Sequence, residues 1–192
     1  MIKGINKANP FKQKSFQEIL EEIGSSKTAS SKRKCVFISH KKEDTAACEP
    51  IAEYLTSAGI DVFFDKWTPS LSQLADAGKH DELTHTIQKG IDESSHMLCV
   101  VSPKTINSFW VPFEVGYGYC KLQLGVLTLK GMNDEQLPDY MKTTRVIRGT
   151  KSLNTFISTL LARKASLLES RHVIKSASLN SHPLDGVLDW DR

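Results

Sequence analysis

Residues 35–64 read CVFISHKKEDTAACEPIAEYLTSAGIDVFF, and the fold turns on how this stretch is read. Cys35-Val36-Phe37-Ile38 is a short unbroken apolar run, as expected of a strand covered on both faces. Between Thr45 and Ala58 the apolar residues Ala47, Cys48, Ile51, Ala52, Leu55 and Ala58 share one helical face, and Gly59 supplies the stop. Ile60-Asp61-Val62-Phe63-Phe64 is a second strand. Strand, amphipathic helix and strand in direct succession favour parallel pairing through a crossover helix.

The same rhythm continues downstream. A helix over Glu82 to Ser94 carries Leu83, Ile87 and Ile91 on one stripe, and Met97 to Val101, apolar on both faces, predicts the central strand. Ser102-Pro103 ends it. A helix then runs from Ser108 or Val111 to Lys121, with Pro112 in its first turn, where a missing N–H costs least. Gly125 to Leu129 is the next strand, Asn133 to Lys142 a polar excursion and Arg145-Val146-Ile147 a short edge strand. Ser152 to Leu168 reads as one final helix, with Leu153, Phe156, Ile157, Leu160, Leu161, Leu167 and Leu168 inward. The expected architecture is α/β: an open parallel five-stranded sheet with helices on both faces.

Three segments fall outside this rhythm. Residues 24–34 have no apolar residue except Ala29 and read as a flexible linker. Ahead of it, Phe16, Ile19, Leu20 and Ile23 give one helical stripe too short to persist alone in water. The chain thus divides into a helical arm with a basic linker (1–33), a body (34–168) and a polar tail (169–192). In the tail, Leu184, Val187, Leu188 and Trp190 could pack or stay loose. Within the body, Asp65 to Asp81 is polar and irregular, and its seventeen residues exceed what a compact domain normally spends on a connection without a function.

The 192 residues are 40% hydrophobic and 24% charged, which excludes collagen-like, mucin-like and wholly disordered chains. The longest apolar run, Met97 to Val101, is far short of the roughly 20 residues a membrane span needs. The first ten residues hold no continuous apolar stretch of the kind a secretion signal requires. A cytoplasmic protein without membrane contact is therefore expected. Residues 1–34 hold eight Lys/Arg against three Glu, and the rest holds 17 basic against 19 acidic residues. A basic arm on a near-neutral body reads as a solvated tether, so nucleic acid is not an expected partner. Cys35, Cys48, Cys99 and Cys120 lie in apolar segments at spacings that fit neither zinc nor redox motifs, and read as buried free thiols.

In an open parallel sheet the ligand crevice lies at the carboxyl ends of the strands. The side chains placed there are Ser39, His40 and Lys41 after the first strand, Asp65, Lys66 and Trp67 after the second, and Ser102 after the third. Trp110 and Glu114 follow on the next helix. A few polar groups with two indole rings suit an aromatic, polyhydroxylated ligand such as a nucleotide. Trp110 and Glu114, four apart, share a helical face, with Glu114 in or near the first turn, where the dipole favours a charged carboxylate. By spacing alone, Trp110 could equally be a core plug and Glu114 a helix-end charge. His40 could be a solvated strand end, and Trp67 could fold over the sheet edge. His80 and His85 flank Asp81 and Glu82 at a spacing poor for a metal, and no metal site is assigned.

Four sets of residues, in order, resemble the boxes of a Toll/interleukin-1 receptor (TIR) domain. They are Phe37-Ile38-Ser39-His40 with Lys42-Glu43-Asp44; Leu55 through Gly59-Ile60-Asp61-Val62-Phe63 to Asp65; Ile87, Ile91 and Ser94 with Val100-Val101-Ser102; and Ser108-Phe109-Trp110-Val111-Pro112-Phe113-Glu114. The resemblance covers roughly residues 34–168 and is to bacterial members, including the signalling component of Thoeris anti-phage systems. It implies a flavodoxin-like sheet and cleavage of the nicotinamide–ribose bond of NAD+, which is substrate rather than cofactor. Glu114 falls on the family's essential glutamate, with Trp110 as the box tryptophan. Ser39, His40, Asp65 and Trp67 would line the substrate site.

The same resemblance implies self-association through the loop Asp65 to Asp81, with Leu71 and Leu74 exposed for a neighbour. It further implies a phage-derived trigger and a separate effector protein that senses an ADP-ribose-derived, in some members cyclic, product. A non-catalytic TIR adaptor is the competing reading. A deoxyribosyltransferase-like enzyme with a strategic glutamate is a third, and a phosphoacceptor receiver lacks the acidic pair it would need.

Overall fold

The strand expected at the centre of the sheet lies there. In a computed structural model that describes residues 3–8, 34–64, 74, 76–176 and 181–190, five strands pair in the order β2-β1-β3-β4-β5, every pairing parallel. They are β1 (Cys35–Ser39), β2 (Asp61–Phe63), β3 (His96–Val101), β4 (Gln123–Thr128) and β5 (Arg145–Ile147). All residues of β1 and β3 are buried, which explains why both read as unbroken apolar runs rather than as alternations.

The helices that cover the sheet include α1 (Thr45–Ser57), α2 (His80–Asp92), α3 (Trp110–Tyr119), α4 (Asp139–Lys142), α5 (Thr150–Leu160) and α6 (Ala165–Ser170). Successive strand residues point to opposite faces, so two cores form. On one, Val36, Ile38, Leu98, Val100 and Leu127 meet Ile51 and Leu55 of α1 and Leu153 and Ile157 of α5. On the other, Phe37, Met97, Cys99, Val101 and Val126 meet Ile87 and Ile91 of α2 and Val111 and Val115 of α3. Each large aliphatic side chain so buried contributes about 1.5–3 kcal/mol, and truncating fully buried Leu98 to Ala would cost about 2–5 kcal/mol.

Gly59 ends α1 as expected. At φ 83° it lets its own N–H reach Thr56 O (3.0 Å) and the Ile60 N–H reach Leu55 O (3.1 Å), a paired closure that needs a left-handed residue. Pro112 sits in the first turn of α3, whose start is held by Ser108 Oγ accepting the Val111 N–H at 3.2 Å.

Several expectations need correction. The single helix over Ser152 to Leu168 is two, α5 and α6, because Ala162 turns left-handed at φ 50°. Cys120 is exposed, just past the end of α3, while Cys35, Cys48 and Cys99 are buried free thiols. α2 begins at His80, so His80 and Asp81 belong to it rather than to the preceding connection. Leu74 is half-buried against the α2/α3 core instead of being exposed for a neighbour.

Residues 181–190 are ordered onto the body. Leu184 and Leu188 are buried in the α1/α5 core. Buried Tyr54 donates to Asn154 Oδ1 (2.8 Å), accepts the Lys175 N–H (2.9 Å) and lies 3.3 Å from His182 Nε2. At the opposite edge of the sheet, residues 3–8 run beside β2, with Asn6 bridging Val62 in parallel. The helical stripe of Phe16 to Ile23 and the linker of 24–33 lie outside the described residues. No helix among the described residues is long and apolar enough to cross a membrane.

Candidate functional site

The parity of β1 decides where its last residue points. Ser39 is two positions beyond Phe37 and therefore faces α2 and α3, as does its register partner Cys99 on β3. α3 lies over that face, and Glu114, one turn after Trp110, turns down toward the strand ends. Ser39 Oγ donates to Glu114 Oε2 at 2.5 Å, with Ser39 fully buried and Glu114 8% exposed. A carboxylate offers about four acceptor positions, so this bond does not exhaust Glu114.

Glu114 is the fifth residue of α3, one place past the first turn. The helix dipole falls off within that turn, so local hydrogen bonding, with the Ser39 hydroxyl among its donors, positions this carboxyl rather than the dipole. Trp110 is not a core plug: it is 38% exposed and meets Phe113 edge-on, with ring centres 5.9 Å apart. Phe109, just before it, is 95% exposed.

His40 is half-buried just past the end of β1. Its Nε2 is 3.1 Å from Thr45 Oγ1, its Nδ1 3.3 Å from Ile38 O, and its ring lies 5.1 Å from that of buried Phe64. Asp65 and Trp67 lie outside the described residues, as does most of the connection they open. Of the remaining candidates the structure brings Ser39 and Glu114 into contact at the carboxyl end of β1, with Trp110 one turn earlier on α3, whereas the His40 ring turns to Thr45 and Phe64 on the α1 side of the strand. Ser39 touches the carboxylate rather than the surface.

Sequence reasoning passed over a second buried contact at the same end. Ser102 Oγ, just after β3, donates to Asp44 Oδ2 at 2.6 Å, and Lys104 Nζ lies 3.7 Å from the other oxygen. Both residues are buried. The only signal available was a pair of short polar residues beyond two strands that proved to be neighbours.

Among the described residues no group of three His, Cys, Asp or Glu could hold a metal ion. A hollow of about 230 Å³ opens at the amino ends of β3, β4 and β5, lined in part by His96, Gln123, Arg145 and Phe156, and contains none of the candidate residues.

Residues 36–155 match the family model described as "TIR domain". Over 100 residues, or 52% of this chain, the sequence is 26% identical to a protein of Cytobacillus dafuensis named "Putative cyclic ADP-D-ribose synthase TIR2". The match spans about a quarter (26%) of that relative's length.

Proposed function

The chain belongs to the TIR domain family, and from that premise we propose that it cleaves the nicotinamide–ribose bond of NAD+ and makes an ADP-ribose-derived signal, hydrolysed or cyclised, in defence against phage. The observation that carries this reading is the carboxylate of Glu114, buried at the strand ends and held by Ser39 at 2.5 Å, with Trp110 one turn away on the same helix. The name of the C. dafuensis relative points the same way.

The chemistry asks for little more than one oriented carboxylate. When the C1′–N bond breaks, both electrons go to the pyridinium nitrogen, so nicotinamide leaves neutral and needs no general acid. Ordinary glycosidases, whose leaving group must be protonated, need two carboxylates. Glu114 would stabilise the oxocarbenium-like charge on the ribose as it develops, an interaction stronger in a site shielded from water. Water, or an adenine nitrogen of the same molecule, then forms the new bond to C1′. Self-association through residues 65–81, an activating phage component and a separate effector that reads the product complete the proposal.

The test is nicotinamide release from NAD+ by concentrated protein, with and without lysate from infected cells, for the wild type and Glu114→Gln. Loss of one transition-state contact of this kind costs about 3–4 kcal/mol, or roughly 100- to 1000-fold in rate. Equal rates for the two proteins would end the enzymatic reading. The adaptor reading draws on Ile106, Phe109 and Trp110, three exposed apolar side chains close together in the chain before and at the start of α3. It requires Glu114→Ala to leave cellular function intact and Phe109→Ser to abolish it.

A further inference from the structure

The face of the sheet that α5 covers is apolar along most of its length, with Leu98 and Val100 of β3, Leu127 of β4 and Ile147 of β5 packed in the core. At its amino end the same alternation brings His96, Gln123 and Arg145 onto that face instead. The hollow of about 230 Å³ opens between these three polar residues and Phe156, Thr159 and Leu160 of α5. We propose that it is a second ligand site, built for a small organic carboxylate with a compact apolar body. It lies the length of β3, roughly 17 Å, from the end of the sheet that carries Glu114, and it stands whether or not Glu114 acts on NAD+.

The polar groups left over at this end are donors. Gln123 Oε1 lies 3.0 Å from His96 Nε2, and since a carbonyl oxygen only accepts, the imidazole donates and the oxygen is occupied. What Gln123 keeps for a ligand is its amide NH2. Arg145 has five N–H donors, and its one hydrogen bond among the described residues is a long one, 3.4 Å to Thr159 Oγ1. No described carboxylate pairs with it. The guanidinium carbon instead lies 5.6 Å from the centre of the Phe156 ring, and the His96 ring meets the same phenyl edge-on at 6.4 Å. Phe156 in turn rests on Gly125, where a Cβ would come within 3.4 Å of its ring. An arginine fork held in this way matches the two oxygens of a carboxylate.

Size, charge and helix polarity narrow the ligand. Pockets for drug-sized ligands run to about 300–1,000 Å³, so 230 Å³ takes one substituted ring and not a dinucleotide. Lys34, the charged group felt at His96, is positive like Arg145. α5 turns its carboxyl end to the hollow, the wrong pole for a phosphate. The carbonyls of that last turn are already met, Ser158 O by the Arg163 N–H and Thr159 O by the Ala162 N–H. A monoanion with an apolar body suits one guanidinium beside Phe156, Leu124 and Leu160.

The test uses the full chain labelled with nitrogen-15, with benzoate as the probe at constant ionic strength. Benzoate should give saturable amide shifts at Gln123, Arg145, Phe156 and Thr159, with a dissociation constant of about 1 mM as suits so small a ligand, while Ser39 and Glu114 stay unmoved. Benzamide keeps the ring without the charge, and acetate keeps the charge without the ring. Each should bind at least about tenfold more weakly, and inorganic phosphate should give no saturable shift there.

Arg145→Gln and Gln123→Glu are the deciding variants. Both residues are exposed, so neither change disturbs the core. Gln123→Glu keeps an acceptor for His96 and exchanges the amide donor for a negatively charged oxygen. Each variant should weaken benzoate by about ten- to a hundredfold, with the thermal midpoint and the rest of the spectrum unchanged. Undiminished benzoate binding in Arg145→Gln, or benzamide or phosphate binding as tightly as benzoate, would overturn the carboxylate site. So would wild-type shifts that fail to saturate or that centre on Glu114 instead of the hollow.

Discussion

Asn6 and Phe64 exchange a pair of hydrogen bonds as if the asparagine side chain were a strand. Asn6 Nδ2 donates to Phe64 O at 2.9 Å, and the Phe64 N–H donates to Asn6 Oδ1 at 3.1 Å. The main chain continues the pairing, with the Val62 N–H on Ile5 O (2.9 Å) and the Lys7 N–H on Val62 O (2.7 Å). The segment thus covers an edge that would otherwise offer a template to another chain. Phe64 immediately precedes the segment that opens at Asp65, and its ring supports His40.

Removing this cover should be legible at β2. Asn6→Ala leaves the Phe64 N–H and C=O unpaired, at a cost of about 1–3 kcal/mol. Gly4→Ala is the complementary variant, because a Cβ there would run into the Ile60 carbonyl. Both should speed amide hydrogen exchange at Val62 and Phe64 while Leu98 and Val100 on β3 stay protected. Unchanged exchange at Phe64 would show that the segment contributes nothing to the edge.

The break between α5 and α6 makes a second case. The Arg163 N–H reaches Ser158 O (2.9 Å) and the Ala162 N–H reaches Thr159 O (3.1 Å), the same paired closure as at Gly59, but with alanine in the left-handed position. A Cβ there costs about 1–2 kcal/mol, part of which glycine would return through its freer unfolded chain. Ala162→Gly should therefore stabilise the protein by about 0.5–1 kcal/mol, read as a higher urea midpoint with an unchanged slope. A lower midpoint would contradict the strained-cap account.

These two closures explain what the sequence could and could not disclose. Gly59 announces a helix end by its identity, whereas Ala162 is among the best helix formers, and nothing in Ser152 to Leu168 signals a stop. The central place of β3 was accessible because its run is apolar on both faces and unbroken. Trp110 and Glu114 were legible as a pair because helical spacing puts them on one face. The Ser39–Glu114, Asp44–Ser102 and Asn6–Phe64 contacts join residues 75, 58 and 58 positions apart. Periodicity carries no information at that range, and only the sheet order brings them together.

Acid should weaken the fold through two histidines. Burial is the main cause that lowers the pKa of both His96 and His182 below the ordinary value of 6.5, so each is held neutral in the native state. In the unfolded chain they take up protons near that ordinary value. The unfolded state therefore binds more protons below about pH 6.5, and stability falls as pH drops through that window. Asp92 and Asp134, paired with Lys121 and Arg148, have lowered pKa values and would lose their contribution only in stronger acid. Urea unfolding at pH 7.5, 6.5 and 5.5 should show declining stability, with a shallower decline in His182→Asn. The same slope in that variant would remove His182 from the account.

The buried bond between Ser102 and Asp44 joins the turn that opens α1 to the end of β3, and its loss should be felt at the site. Ser102 Oγ also accepts the Lys104 N–H at 3.1 Å, while the Ser102 N–H donates to Thr105 Oγ1 at 2.9 Å, so one aspartate anchors the whole turn that precedes α3. Asp44→Ala strands the serine hydroxyl without its acceptor and should cost about 1–3 kcal/mol. Asp44→Asn keeps an acceptor oxygen and should cost less. If Glu114 acts on NAD+, loosening this turn displaces α3 relative to β1, and nicotinamide release should fall in Asp44→Ala at temperatures where the protein is still fully folded. Full activity in a folded Asp44→Ala protein would show that α3 is held by its own apolar face alone.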